Sequence, residues 1–110
     1  MKGSNLGEFE ELIMLAIGVL FPVAYGVAIR NEIQNRSGRA VSLSAVHASL
    51  QRLEQKGYLQ SEFGESTQKR GGKRKKFFSI TAQGIKTMEE VRALREQMWG
   101  DIKGFAIQQS

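Results

Sequence analysis

The hydrophobic pattern of this 110-residue chain changes its period twice, and this change most strongly limits the fold. Across residues 9–53, apolar side chains recur at intervals of three or four, as they do in amphipathic helices. Residues 58–63 alternate between apolar and polar, and residues 76–80 are rich in aromatic and branched side chains, as in strands. The helical period returns after Thr81. The order predicts several helices, one β-hairpin and a final helix.

The first two predicted helices meet near Pro22, the one proline of the sequence. We expect the first helix to start at Asn5, an N-cap residue, with Glu8 completing a capping box. Proline disfavours helix in the residue before it and suits the start of a new helix, so the second should follow directly and stop at Ser37-Gly38. Its predicted inward-facing residues are Val23, Val27, Ile29 and Ile33.

The third predicted helix has one apolar and one small polar face. Ser42 and Ser44 can cap its start, and Gly57 is placed to cap its end. The inward-facing residues are Leu43, Val46, Leu50 and Leu53. The outward-facing residues are Ser44, Ala45, His47, Ala48, Gln51, Arg52 and Gln55. Short side chains on this face would allow the helix axis to approach base edges in the major groove of DNA.

The last predicted helix carries a long apolar stripe. Thr81 can cap its start, with Ile80 and Ile85 at the positions of a hydrophobic staple. The stripe consists of Ile85, Met88, Val91, Leu94, Met98, Ile102 and Phe105. A stripe of this length needs a partner surface, so we expect this helix to mediate dimerisation.

Positive charge is concentrated in the loop between the predicted strands, residues 65–75. The net charge is +5, and six of the sixteen basic residues lie in one short run: Lys69, Arg70, Lys73, Arg74, Lys75 and Lys76. Without them ten bases remain against eleven acids, a net charge of −1. A basic run alone most often marks a solvated loop. Here the hairpin that carries it directly follows a helix with a small polar face, and both could approach one duplex.

Several functional classes are disfavoured by the residue inventory. The chain has no cysteine, one histidine and one aspartate, so we expect no metal, no cofactor and no catalytic activity. The apolar stretch 12–24 is shorter than the ~20 residues of a membrane span and follows acidic residues, so it should be a buried helix. We therefore expect no membrane association and a cytoplasmic location.

Together these features predict an α+β fold, mostly α. The element order is that of a winged helix-turn-helix with a C-terminal dimerisation helix. We expect one compact domain in which residues 1–80 form the DNA-binding part and residues 81–110 form the dimerisation helix and tail.

Four segments make the sequence similar to one protein family. They are residues 11–17, Tyr25-Gly26 with Ile29, residues 44–59, and residues 70–84, which end in the pattern aromatic-x-Ile-Thr-x-x-Gly. Through these segments residues 5–99 resemble the PadR-like transcriptional regulators of bacteria, in a small form with a single C-terminal helix. The chain departs from the family pattern at His47, where a tyrosine is usual, and at Val27, where an aromatic residue is usual.

The resemblance implies a sequence-specific DNA-binding regulator, by default a repressor, that binds an inverted-repeat operator in double-stranded DNA as a homodimer. The third helix would read base edges and the basic hairpin would contact phosphates or the minor groove. The DNA-binding residues so expected are Ser42, Ser44, Ala45, His47, Ala48, Gln51, Lys69, Arg70, Lys73, Arg74 and Lys75. His47 either contacts the DNA backbone or has no special role, and Arg52 faces either DNA or another helix.

The last helix would supply the dimer interface, with Met88, Val91, Leu94, Met98 and Trp99 as its expected residues. In small relatives a tryptophan here can line a cavity for flat aromatic effectors, which the resemblance extends to Trp99 and Met98. Simple packing in the interface is the other interpretation. A winged-helix module that binds protein or RNA is the alternative function.

Overall fold

The computed structural model describes residues 6–64 and 74–104. The elements of the described residues are, in chain order, α1 (Glu8–Leu20), α2 (Gly26–Ser37), α3 (Leu43–Gln55), β1 (Leu59–Phe63), β2 (Lys76–Ile80) and α4 (Ala82–Gly100). The strands are antiparallel, with Leu59 opposite Ile80 and Phe63 opposite Lys76. None of the described helices has the length and hydropathy that a membrane crossing requires. This is the predicted mostly helical winged helix-turn-helix, and we call β1, β2 and their connecting loop the wing.

The core lies between α1, α2 and α3, and the wing closes one side of it. Each of the three helices contributes apolar side chains to this core, and Leu59 and Phe78 point inward from the strands. The most deeply buried side chains, all 0% exposed, include Ile13, Met14, Ile17, Ile29, Val46 and Leu53. This core holds α3 in place with its opposite face in solvent.

The predicted starts of α1 and α2 are wrong. Helix α1 begins at Glu8, and Glu10 rather than Glu8 reaches back to accept the Gly7 N–H at 3.2 Å. Asn5 lies outside the described residues. Helix α2 begins only at Gly26, although its end at Ser37 is as predicted, with Gly38 at a φ of 74°.

The late start of α2 also overturns two inward-facing assignments. Val23 is 54% and Val27 39% exposed, whereas Ala24 is fully buried. Residues 23–25 are not helical, and the Ala24 carbonyl accepts the Phe78 N–H of β2 at 2.8 Å, a hydrogen bond that this segment would lose in a helix starting directly after Pro22. Ile29 is buried as predicted.

Helix α3 agrees with the sequence prediction in its cap and its faces. The Ser42 hydroxyl accepts the Ala45 N–H at 3.1 Å, and Gly57 follows the helix with a φ of 86°. The polar face is exposed throughout, whereas Leu43 is only half-buried. Ser49 is 1% exposed, a burial that the apolar period could not predict.

A compact joint connects the end of α3, the wing and the start of α4. The Thr81 hydroxyl donates to the Gly57 carbonyl at 2.7 Å and accepts the Gly84 N–H at 3.0 Å, and the Thr81 N–H donates to the Tyr58 carbonyl at 3.0 Å. A Cβ atom on Gly84 would lie 2.3 Å from the Tyr58 oxygen. In the pattern Thr-x-x-Gly, the threonine caps the helix and the glycine is the one residue small enough to fit. We call Gly57, Tyr58, Thr81 and Gly84 the α3–α4 joint.

Helix α4 leaves the core after its first turns. Met88 packs against the core, but Leu94 is 56% and Met98 and Trp99 are each 63% exposed. Arg95 donates to Glu11 of α1 at 2.9 Å. Phe105, the last residue of the predicted stripe, lies outside the described residues.

Candidate nucleic-acid interface

The exposed face of α3 is the first part of the interface. Ser44, Ala45, His47, Ala48 and Gln51 are all exposed, as predicted. Their side chains are short or polar because the apolar positions of the helix face the core on the opposite side. The face therefore presents hydrogen-bonding groups without bulky apolar side chains.

The wing is the second part. Arg74, Lys75 and Lys76 are exposed at the start of and just before β2, while Lys69, Arg70 and Lys73 lie outside the described residues. Arg74 and Lys75 line one groove together with His47 and Gln51 of α3. The structure therefore brings the basic end of the wing and the polar face of α3 to the two sides of a single groove.

His47 forms part of the groove wall where α3 meets the start of α2. A Cβ atom at Gly26 would lie 2.7 Å from His47 Cε1, so the imidazole fills the space that a side chain at position 26 would need. The ring remains exposed in the groove. Its position fits a residue that contacts a ligand from the groove wall.

Tyr25 also lines this groove, and the residue pattern assigned no function to it. Its ring meets the Phe77 ring edge-on at 5.9 Å between centroids, and Lys75 Nζ lies 4.1 Å from the Tyr25 ring centroid. The signal available in the sequence was the Tyr25-Gly26 pair itself, but the partners of the ring lie fifty residues away in the chain.

Lys76 differs from Arg74 and Lys75 because it pairs with a carboxylate of α3. Its ammonium lies 3.7 Å from a carboxylate oxygen of Glu54, whose other oxygen accepts the Ser61 hydroxyl at 2.7 Å. Glu54 thus joins the end of α3 to both strands. It holds the wing beside the helix at the same time as it neutralises one wing base.

Arg52 faces another helix, which decides between the two orientations left open by the sequence. Its Nε donates to Glu10 of α1 at 3.2 Å and its Nη2 donates to Ser49 at 3.1 Å. Lys56 Nζ donates to the second Glu10 oxygen at 3.2 Å. Burial raises the pKa of Glu10, but the hydrogen bonds from Gly7, Lys56 and Arg52 together outweigh it, and the net pKa is lowered.

Replacing Glu10 with glutamine should therefore lower the free energy of unfolding at neutral pH by about 1–2 kcal/mol, because charge-assisted hydrogen bonds are lost at partly exposed partners. A lowered folded-state pKa gives stability that is present above the ordinary value of 4.5 and is lost as pH falls through the folded pKa. Urea titrations should show that the free energy of unfolding of Glu10→Gln is lower than that of wild type at neutral pH and that this difference disappears in acid.

The matched control is Glu8→Gln, since Glu8 pairs with Arg39 at 2.9 Å while 64% of its side chain is exposed. Its effect should be at most about 1 kcal/mol. A difference between wild type and Glu10→Gln that stays constant from neutral pH into acid would contradict the assignment.

Comparison with known proteins adds an independent observation. The model of the transcriptional regulator PadR-like family matches residues 19–90. No protein of curated function matches the chain. Solved structures do match it, and two are 26% identical. A PadR-like transcription factor from Bacteroides fragilis has a TM-score of 0.70, with 82% of each chain covered. A PadR family regulator from Eggerthella lenta has a TM-score of 0.66, covering 84% of this chain and 80% of its own.

A PadR family transcription regulator from Clostridium difficile shares the fold over nearly its whole length. The identity is 24% and the TM-score 0.63, and the match covers 93% of this chain and 97% of the other. The family match includes α2, α3, the wing and the first half of α4.

Proposed function

This chain belongs to the PadR-like family of transcriptional regulators, and from that premise we propose that it is a homodimeric repressor that binds an inverted-repeat operator. Members of this family are transcriptional regulators rather than enzymes, so the interface described above is a binding site. In this proposal residues 1–80 bind DNA and residues 81–110 dimerise. The site of action is the cytoplasm, where bacterial DNA is found.

The observation that carries the proposal is the shared groove between α3 and the wing. Arg74 and Lys75 stand on one side of it and His47 and Gln51 on the other. A duplex whose major groove receives α3 brings its phosphates to the wing, so bases and backbone are contacted together. Lys69, Arg70 and Lys73 belong to the same basic run and add charge for phosphate contacts.

Sequence discrimination is assigned to α3. Gln51 can form a bidentate pair with adenine, and Ser44 can donate to or accept from any base edge. Ala45 and Ala48 leave room for the helix to approach, and an alanine methyl can contact thymine. Ser42 accepts the Ala45 N–H as the helix cap, so its main contribution is to orient the first turn. His47 contacts the backbone from the groove wall.

Dimerisation is assigned to two exposed apolar surfaces. Leu94 and Met98 on α4 are more than half exposed, and Leu15 and Val19 on α1 are 48% and 56% exposed. Val91 and Met88 continue the α4 surface toward the core. A two-fold pairing that covers these surfaces places two α3 helices about one turn of DNA apart. Sedimentation velocity should give twice the monomer mass of 12.3 kDa.

A flat aromatic effector is the finer part of the proposal, with Trp99 and Met98 as its residues. Trp99 is the only tryptophan, so its fluorescence reports on this position alone. Titration with a planar, uncharged aromatic compound should quench it and should also weaken DNA binding, because an effector acts only through different affinities for the two dimer states. Absence of quenching would favour packing as the only function of these residues, and quenching without an effect on DNA binding would contradict a role as an effector site.

The proposal is tested by fluorescence anisotropy at several salt concentrations. The probes are a duplex from upstream of the chain's own gene and a scrambled duplex of equal length. We expect preferential binding to the first that weakens steeply with salt, as on the order of eight phosphate contacts per dimer would give. Equal, feeble and salt-insensitive binding to both would contradict it and favour a protein-interaction module.

A further inference from the structure

We propose that Tyr25 is a positioning residue that fixes the wing at one distance from α3, and that the sequence preference of DNA binding depends on it. The inference rests on the proposed function, and it assigns part of the specificity to a residue outside both α3 and the wing. Tyr25 is the N-cap residue of α2, and its carbonyl accepts the Ile29 N–H at 2.9 Å, so its backbone is held by that helix.

Tyr25 contacts the wing through its ring. The Phe77 ring stands edge-on to it, with an interplanar angle of 87° and 5.9 Å between centroids. The Lys75 ammonium lies 4.1 Å from the ring centroid. Beside the ring, the Ala24 carbonyl accepts the Phe78 N–H at 2.8 Å. Three positions of the wing, Lys75, Phe77 and Phe78, the last two in β2, are therefore held by Ala24 and Tyr25, the two residues before α2.

The same segment is fixed relative to α3 by the next residue. Gly26 lacks a side chain, and the His47 imidazole occupies that space, with a Cβ position 2.7 Å from Cε1. The start of α2 therefore packs against α3 through the His47 imidazole. Tyr25 and Gly26 therefore form a bracket, with the wing held on one residue and α3 seated against the next.

The bracket sets how well the wing is pre-organised for DNA. A wing held at the correct distance can contact phosphates while α3 reads bases, with no further ordering on binding. A wing released from Tyr25 can still attract phosphates through its charge, which is enough for non-specific binding. Loss of the ring should therefore reduce specific binding much more than non-specific binding.

The test compares Tyr25→Leu with Tyr25→Phe. Both wing contacts are made by the ring, so Phe retains them, whereas Leu keeps apolar volume without an aromatic face. The probes are a duplex selected by the wild-type protein from a randomised library and a scrambled duplex. We expect Tyr25→Leu to lower the ratio of the affinity for the selected duplex to that for the scrambled duplex about tenfold. It should also reduce the slope of log affinity against log salt concentration on the selected duplex. Tyr25→Phe should match wild type in both.

Hydrogen exchange provides a readout that needs no DNA. The Phe78 amide should exchange faster in Tyr25→Leu than in wild type, while the Val46 amide in α3 should be unchanged. If the wild-type protein selects no sequence, the proposed function fails, and the exchange result alone decides whether Tyr25 holds the wing. Unchanged exchange at Phe78 would then overturn the inference.

Two further variants separate positioning from loss of stability. Phe63→Leu removes another wing aromatic with a lysine nearby, Lys76 at 5.8 Å from the ring centroid, and should leave the affinity ratio unchanged. Phe77→Leu removes the wing's half of the ring pair, and its effect should not add to that of Tyr25→Leu. Equal losses of affinity for both duplexes in Tyr25→Leu, or fully additive effects with Phe77→Leu, would overturn the proposal.

Discussion

Replacing Gly84 with alanine should lower the free energy of unfolding by about 2–4 kcal/mol, although alanine is the better helix former by about 1 kcal/mol. The new Cβ atom would lie 2.3 Å from the Tyr58 carbonyl oxygen and 2.8 Å from Ile80 Cγ2. The oxygen cannot move aside freely because it accepts the Thr81 N–H at 3.0 Å. Relief requires α4 to shift as a unit, which would disturb the cap at Thr81. Urea unfolding followed by circular dichroism measures the change.

Gly18→Ala is the matched control, since it makes the same substitution inside α1. A Cβ at Gly18 would meet only Ile80 Cδ1 at 3.5 Å, an ordinary contact, and the residue is exposed. This variant should be more stable than wild type by about 0.5–1 kcal/mol. If Gly84→Ala were as stable as the wild type, the Tyr58 carbonyl would not limit the residue at position 84.

Neutralising Lys73 and Arg74 together should weaken binding to the selected duplex about 10²–10³-fold at physiological salt. The double variant Lys73→Gln/Arg74→Gln removes two charges from each wing, and therefore four from a dimer. Each lost phosphate contact reduces the slope of log affinity against log salt concentration by about 0.9, so this slope should fall by about three to four in total. It leaves Lys75 over the Tyr25 ring, so the bracket is kept. Anisotropy titrations over a series of salt concentrations give both quantities.

The control for net charge is Lys86→Gln/Lys103→Gln. Both lysines are exposed, Lys86 in α4 and Lys103 after it, and neither lines the groove between α3 and the wing. This variant lowers the net charge of the protein by the same amount as Lys73→Gln/Arg74→Gln. Because it removes no wing charge, the affinity should fall by less than tenfold, and the slope of log affinity against log salt concentration should be unchanged. Similar losses in the two double variants would show that overall charge, not the wing, determines binding.

The number, order and type of the described elements are as the sequence predicted, because each element has its own hydrophobic period and several helix ends have local caps. Ser42 and Thr81 both cap helices through the side chain, and Gly38 and Gly57 both follow helices with positive φ. These are local interactions among residues at most four apart, and a pattern within one segment contains them. The exposed face of α3 follows in the same way, since burying Val46, Leu50 and Leu53 leaves the opposite side in solvent.

The errors and omissions involve contacts between distant segments. Pro22 suggested an immediate helix, but pairing of Ala24 with Phe78 keeps that segment extended until Gly26. Arg52 lies at a helical position that predicts an exposed, DNA-facing residue, yet its Nε donates a hydrogen bond to Glu10, forty-two positions earlier. Such partners satisfy buried polar groups and are chosen by the three-dimensional arrangement, which helical period alone does not encode.

In the proposed dimer, the α3–α4 joint would link the dimer interface to the DNA-binding helix α3. Its three hydrogen bonds and the close fit at Gly84 connect the end of α3 directly to the start of α4. Helix α4, with 19 residues, is a rod of about 28 Å. In the proposed dimer, a tilt of α4 would turn α3 with it. The spacing of the two α3 helices on an operator would then change with the crossing angle between the two α4 helices, without bending within either subunit.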